Sequence, residues 1–244
     1  MKGIENENIG ISGVIEILKS KDQDVEFVRI PLFEISAKEF LTFAKSDFKD
    51  NDEKGLINAL SNAKRAISNR MDEMIKLSCL QKISSKNRWN IPSKMDKLSA
   101  IGIFVPGLLQ RKITSMRNLL EHEYIKPKDS QEVEDVIDIA ELFLVSTEKY
   151  IEFGLLGAID LLGNNYVIFN IMSDKLEIYT EKQEEIIDLS QIDENDLMDL
   201  AKELTNLKTH ETSYTHNGDM SWDDFYTQKI NDIRSRASSS NVDK

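Results

Sequence analysis

The chain has 244 residues, 40% of them hydrophobic, with a net charge of −12 and a pI near 4.8. That length accommodates one or two domains with a sizeable core. A single cysteine, Cys79, excludes an intramolecular disulfide and any cysteine-based zinc site. The acidity argues against a general nucleic-acid binder, and no stretch approaches the ~20 apolar residues of a membrane span.

The N-terminus, Met1-Lys2-Gly3-Ile4-Glu5-Asn6, has no apolar core of the signal-peptide kind. With no disulfide pair either, the expectation is a cytoplasmic protein. Residues 1–35 read as a small β-hairpin. Val14 to Leu18 and Val25 to Ile30 are rich in β-branched residues, and a polar run from Lys19 to Asp24 separates them.

Residues 36–154 read as a helical bundle. Ala37 to Phe48 opens it. In the long helix Leu56 to Cys79, the residues Leu56, Leu60, Ala63, Ile67, Met71, Met74 and Ile75 recur at helical spacing. A methionine stripe of this kind is core material. The apolar surroundings of Cys79 suggest an ordinary buried thiol. Val133, Val136, Ile137, Ala140, Phe143 and Leu144 give a closing helix, Val133 to Phe153, the same periodicity. Residues 155–236 form an acidic α+β region. Tyr166 to Met172 and Leu176 to Tyr179 make a second hairpin. Asp196 to Leu207 is helical with Asp193 or Asn195 as cap, and Ser221 starts a last helix that runs to about Arg236. The tail 237–244 is small, polar and expected to be disordered. The two hairpins are expected to join in one sheet, uniting the ends of the chain. The fold class is therefore mainly α: a helical bundle with a small β-containing appendage built from both ends.

Between Pro106 and Tyr124 there is one internal Gly, at the second position, and no further Pro. Pro106 stands where a first-turn proline is tolerated, and Lys126-Pro127-Lys128-Asp129 ends the helix. Advancing about 100° per residue places Leu108, Leu109, Ile113, Met116, Leu119 and Leu120 on one arc. Gln110, Arg111, Thr114, Arg117, Asn118, Glu121, His122 and Tyr124 lie opposite. His is the usual general acid or base near neutral pH. Arg keeps its charge and grips a phosphate with paired hydrogen bonds. Together they suffice for RNA cleavage without a metal: the base activates the 2′-hydroxyl, and the cation offsets charge on the phosphorus oxygens. The plain alternative is an exposed helix with an Arg117–Glu121 pair and an idle histidine.

Arg117-Asn118-Leu119-Leu120-Glu121-His122 resembles the R-x4-6-H signature of the HEPN superfamily. With Tyr124 it reads R-x4-H-x-Y, similar to the toxin of HEPN–MNT toxin–antitoxin pairs. The likeness spans roughly residues 36–154 and leaves 1–35 and 155–244 uncovered. It implies a HEPN-like four-helix bundle and an endoribonuclease acting as a homodimer through the helix 106–125, in the role of a toxin or phage-defence effector. Arg117 and His122 would be catalytic, and Asn118, Glu121 and Tyr124 supporting. Tyr124 would also be the point where a partner nucleotidyltransferase, the antitoxin, attaches a blocking group. Members that have lost activity and only bind RNA or a partner protein give the alternative. No cofactor and no metal is implied.

Charge is unevenly spread. Residues 56–128 carry 14 Lys+Arg against 5 Asp+Glu, and residues 155–244 carry 8 against 18. Lys82, Lys86, Arg88, Lys94 and Lys97 lie in the connection that precedes Pro106, with Trp89 among them. Cations interleaved with an aromatic suit a phosphate backbone and a stacked base, so Lys86, Arg88, Trp89, Lys94 and Arg111 are the candidate RNA contacts. Alternatively this connection is a solvated loop with Trp89 packed on the bundle. His210 and His216, beside Glu211 and Asp219, match no standard metal spacing.

Overall fold

The computed structural model describes residues 9–19, 23–28, 32–103, 105–115, 126–152, 155–161, 165–170, 174–179, 184–209, 214–216 and 221–239. In chain order the elements are α1 (Gly10–Lys19), β1 (Gln23–Val28), α2 (Ala37–Phe48), α3 (Glu53–Leu77), α4 (Gln81–Lys86), α5 (Ile91–Ala100), α6 (Gly107–Ser115) and α7 (Ser130–Glu152). There follow β2 (Leu155–Leu161), β3 (Asn165–Asn170), β4 (Lys175–Tyr179), β5 (Glu184–Asp188), a 3-10 turn (Leu189–Gln191), α8 (Glu194–Thr209), β6 (Tyr214–His216) and α9 (Trp222–Ser239). The chain is mainly helical with one sheet, as its composition and periodicity suggest. It divides into two compact units: a helical unit of residues 31–76 and 84–151, and a sheet unit of residues 1–30, 77–83 and 152–244. Among the described residues no helix is long and apolar enough to cross a membrane.

In the helical unit, local chemistry sets the helix starts. The Ser36 hydroxyl accepts from the Glu39 backbone N–H at 3.3 Å, and the Glu39 carboxylate accepts from the Ser36 N–H at 2.9 Å. This reciprocal cap fixes the first turn of α2. Asp52 accepts from the Gly55 N–H at 2.6 Å to open α3. Gly55 is required there, since an added Cβ would lie 2.7 Å from the Asp47 carbonyl oxygen. Asp129 does the same for α7, accepting from the Glu132 N–H at 2.9 Å. The predicted stripes are buried: Leu60, Ala63, Ile67, Met71, Met74 and Ile75 on α3, and Val133 through Leu144 at helical spacing on α7. Leu56, at the first turn of α3, is only half-buried. The segment expected as a plain connection contains α4 and α5, with Asn90 capping α5 through the Ser93 N–H at 3.0 Å.

The sheet unit has strand order β5-β4-β3-β2-β1-β6. All neighbours are antiparallel except β1 and β6, which run parallel. The strand nearest the N-terminus is thus flanked on both sides by strands from beyond residue 154, which unites the two ends of the chain. The expected hairpin β3–β4 is present, Tyr166 facing Tyr179 and Phe169 facing Leu176. The hairpin expected over 1–35 is not. Val14 to Leu18 lies in the helix α1, burying Val14, Ile15 and Leu18. These three recur at i, i+1 and i+4, which suits one side of a helix as well as a run of β-branched residues suits a strand. The deciding contact is remote. Glu185 on β5 accepts from the N–H groups of Ile9 at 2.8 Å and Gly10 at 3.2 Å, satisfying first-turn donors and placing a carboxylate at the positive end of the helix. Three strands also went unpredicted. β2 follows directly on α7, β5 lies inside an acidic run, and β6 lies in the histidine-containing loop. Helix α9 continues to Ser239, so part of the tail expected to be disordered is helical.

Strand alternation divides the sheet into two faces. Glu185 shares the face of Ile178 and Leu176, so α1 lies on that side, and α8 packs on α1. On the other face Tyr226 and Lys229 of α9 reach Glu177 and Glu26.

A buried charge network ties three helices of the helical unit. Arg70 on α3 is only 2% exposed. Its guanidinium stands 3.0 Å from Glu73 of the same helix and 3.3 Å from Glu148 on α7, and Glu148 also takes the Lys38 ammonium of α2 at 2.7 Å. Among the described residues Arg70 Nε and Nη1 and Glu73 Oε2 have no partner in hydrogen-bond geometry, so the 3.0 Å contact is an ion pair and no more. Burial raises the Glu73 carboxyl, against the charge of Arg70 and a hydrogen bond from the Ala37 N–H. Burial also works to raise Glu148, but the hydrogen bond from Lys38 and the charges of Arg70 and Lys38 outweigh it and hold Glu148 low. The two carboxylates therefore have opposite pH signs. The contribution of Glu73 is whole in acid and lost as pH rises through its raised value. That of Glu148 is whole above the ordinary glutamate range and lost as pH falls through its lowered one. Arg70→Met is expected to cost about 3 kcal/mol, the low end for breaking a buried pair because Glu148 stays partly hydrated. Arg70→Met/Glu73→Gln should recover much of that, since the amide is neutral and still accepts from Ala37. Urea unfolding of the three proteins checks this. A single variant as stable as the native chain would show that the network holds nothing.

Candidate functional site

The motif residues Arg117, Asn118, Glu121, His122 and Tyr124 lie outside the described residues, as do Met116, Leu119 and Leu120. The helix that leads to them is described as far as Ser115. Its inner side is Leu109 and Ile113, 6% and 1% exposed. Gln110 is half-buried and Arg111 exposed, in keeping with the polar arc, while Lys112, which the wheel sets among the apolar positions, is exposed as well. Leu108 departs from expectation: placed at the edge of the apolar arc, it is 66% exposed. The entry to α6 is held by the Gln110 N–H donating to the Pro106 carbonyl at 3.0 Å. The Tyr150 hydroxyl of α7 donates to the Gly102 carbonyl at 3.4 Å, where a φ of +90° calls for glycine.

Among the described residues the candidate RNA contacts divide into exposed and committed groups. Lys86 is exposed at the end of α4. Arg88 is exposed in the α4–α5 turn, with a φ of 50° and its N–H donating to the Ser85 carbonyl. Arg111 is exposed on α6. Lys94 is committed: its side chain is 14% exposed and its ammonium sits 2.6 Å from Asp72 on α3. Trp89 is half-buried, with the Lys97 ammonium 5.5 Å from its ring centroid. Lys97 therefore occupies one face of the ring. Lys82 pairs with Asp174 at 3.4 Å. Lys86 and Arg88 share one turn, and Arg111 stands on a separate helix.

Sequence reading missed the principal polar cluster of the sheet unit, because it assembles from distant strands. Glu177 on β4 is 5% exposed. It accepts from the hydroxyls of Tyr226 at 2.6 Å and Tyr179 at 2.9 Å, and from the Asn170 amide at 3.0 Å. One turn further along α9, Lys229 pairs with Glu26 on β1 and lies 5.2 Å from the Tyr166 ring centroid. The only sequence signal was Glu177 standing between Leu176 and Ile178, an acid in an otherwise apolar strand. Chemically the cluster is a buried anion held by neutral donors beside a buried ion pair. A dent of about 30 Å³ beside Lys229, lined by Glu26, Phe225, Gln228 and Asp232, has room for a single water-sized molecule. That arrangement attaches a helix to a polar sheet face and offers no substrate pocket.

Burial, then the hydrogen bond to Glu177 and its charge, push the Tyr226 phenol up to about 12. Burial followed by the same carboxylate raises Tyr179 further. A phenol raised in the folded state contributes stability that is whole below about pH 10 and lost as pH climbs through the raised value. Glu177→Gln removes the anion and keeps an acceptor. Two tyrosines should then titrate closer to 10, read as phenolate absorbance, with Tyr226→Phe identifying one of them. An unchanged titration would mean that the carboxylate does not govern these phenols. Against known proteins, no family model matches this chain, and no curated protein and no solved structure matches it at a significant level.

Proposed function

We propose that this protein is a metal-independent endoribonuclease of HEPN type, with Arg117 and His122 as its catalytic pair. The observation that carries the reading is the R-x4-H-x-Y motif, which follows directly on an amphipathic helix whose buried side is Leu109 and Ile113 and whose outer side bears Arg111 and Lys112. The helices 37–48, 53–77 and 130–152 support the reading as candidates for the other members of such a bundle, with α4 and α5 between them in the chain. Lys86, Arg88 and Arg111 are exposed cations in the same unit, available to phosphates.

In this mechanism His122 takes the proton of a 2′-hydroxyl, and the oxygen attacks the adjacent phosphorus. The second His122 of the dimer, protonated, gives its proton to the 5′-oxygen as the P–O5′ bond breaks, and a 2′,3′-cyclic phosphate remains. Arg117 offsets charge that grows on the non-bridging oxygens. Asn118 and Glu121 orient the pair, and Tyr124 contacts substrate or accepts the blocking group of an antitoxin nucleotidyltransferase. One helix supplies one His and one Arg, so the homodimer through residues 106–125 would complete the site from two copies. The biological role that follows is that of a toxin or phage-defence effector.

Purified protein is expected to cut single-stranded RNA in EDTA and leave cyclic phosphate ends. His122→Ala should lower the rate by about 10²-fold or more, and Arg117→Ala comparably, both with unchanged unfolding curves. Lys86→Ala and Arg88→Ala should weaken RNA binding and each reduce the log–log salt slope by about 0.7. Cleavage that survives His122→Ala would sink the catalytic assignment. RNA binding without cleavage would favour an inactive HEPN module.

A further inference from the structure

The outer side of α7 carries a feature the ribonuclease reading does not use. The helix buries Val133, Val136, Ile137, Ala140, Phe143, Leu144, Thr147 and Tyr150. The opposite side presents Asp138, Leu142, Val145 and Lys149 at spacings of four, three and four, the rhythm of a coiled-coil seam. Leu142 is 60% exposed and Val145 71%, and Asp138 and Lys149 are exposed beside them. Two neighbouring apolar side chains at consecutive seam positions, on a 23-residue helix that otherwise follows its burial pattern closely, form an uncovered face.

We propose that this face docks a second copy of the same chain, with the two α7 helices antiparallel and a two-fold axis passing between Phe143 and Leu144. The charge order along the seam argues for that occupant and that direction. About this axis Leu142 meets the partner's Val145, and Asp138 meets the partner's Lys149, each contact occurring twice. A parallel pairing would set Asp138 on Asp138 and Lys149 on Lys149. The acids flanking the seam are already satisfied within one chain: Glu141 holds Lys45 at 2.6 Å, and Glu148 holds Lys38 at 2.7 Å. They bring little net charge to the meeting of two copies. On the other flank Ser146 is small, and its hydroxyl already donates to the Phe143 carbonyl at 3.0 Å, so close approach strands no polar group. Asp135 and Glu152 meet only at the ends of the overlap, where water screens them. The apolar centre is two residues per copy, which places this contact among the small, weak interfaces.

This interface is separate from residues 106–125 and stands or falls independently of the catalytic reading. Sedimentation velocity on the full chain from about 1 to 200 µM tests it. Leu142→Glu/Val145→Glu should remove one association step, weakening it at least about tenfold, while the helical circular dichroism stays unchanged. Asp138→Lys and Lys149→Asp alone should each weaken the step by about five- to tenfold, since two attractions become repulsions. The double variant Asp138→Lys/Lys149→Asp should restore native association, because every pair is again opposite in sign. Rescue by the double swap is specific to this antiparallel register. A chain that is monomeric throughout, an association pattern in Leu142→Glu/Val145→Glu unchanged from the native chain, or a double swap no better than its single parents would each overturn the proposal. An unchanged pattern in Leu142→Glu/Val145→Glu would assign every association step to other faces, such as 106–125.

Discussion

The helical unit is organised around a guanidinium withdrawn from water. Arg70 is held between Glu73 on its own helix and Glu148 on α7, and Glu148 in turn takes Lys38 from α2. Glu73 also accepts from the first N–H of α2, at Ala37. Apolar packing alone lets helices slide or rotate by small amounts at little cost. A buried cation does not, because any shift that separates it from its carboxylates leaves an uncompensated charge in a poor solvent. The network thus fixes which turn of α3 faces which turn of α7 and where α2 begins. The stripes of Ala63, Ile67 and Met71 supply the driving force, and Arg70 supplies the register.

The sheet unit applies the same logic with different chemistry. Its apolar face is covered in the ordinary way, while its other face keeps a carboxylate, two phenols and an amide and satisfies them mutually. Glu177 accepts from three donors, so α9 seats on hydrogen bonds as well as on Phe225 and Ile230. A helix attached in this way is placed by direction rather than by area. The Lys229–Glu26 pair one turn away adds a second fixed point, and two points determine the helix axis over the sheet.

How much of this was legible in the sequence depends on whether the deciding contact is local. The caps Asp193 and Ser221 and the stripes of α3 and α7 are written within a few residues of one another, and they appear where the local pattern placed them. The β3–β4 hairpin is likewise a local pattern with a short turn. The first helix was misjudged because its capping carboxylate is Glu185, 175 residues downstream of Gly10. Strand β5 was hidden because three of its five residues are charged and only Ile187 is buried, a strand whose existence depends on pairing with β4. Arg70 and Glu177 gave almost no signal, since nothing around either residue says that its partners come from another helix or strand. Among the candidate RNA contacts, composition found the right stretch but not the allocation. Lys94 and Asp72 are 22 residues apart, and only the fold shows that this lysine is already used.

The placement of β1 has a consequence for how the protein is made. Both of its neighbours, β2 and β6, lie far downstream, the second beginning at Tyr214. A ribosome adding about 5–20 residues per second needs roughly 10–40 s to travel from one to the other. Until Leu161 has been made neither edge of β1 has its partner, and the β6 edge waits until Tyr214. Glu26 lies mid-strand, and a charge there discourages a stray strand from docking on either edge. The residue that later anchors α9 thus also acts as a gatekeeper for the nascent chain, guarding a seam that is the first to appear and the last to close.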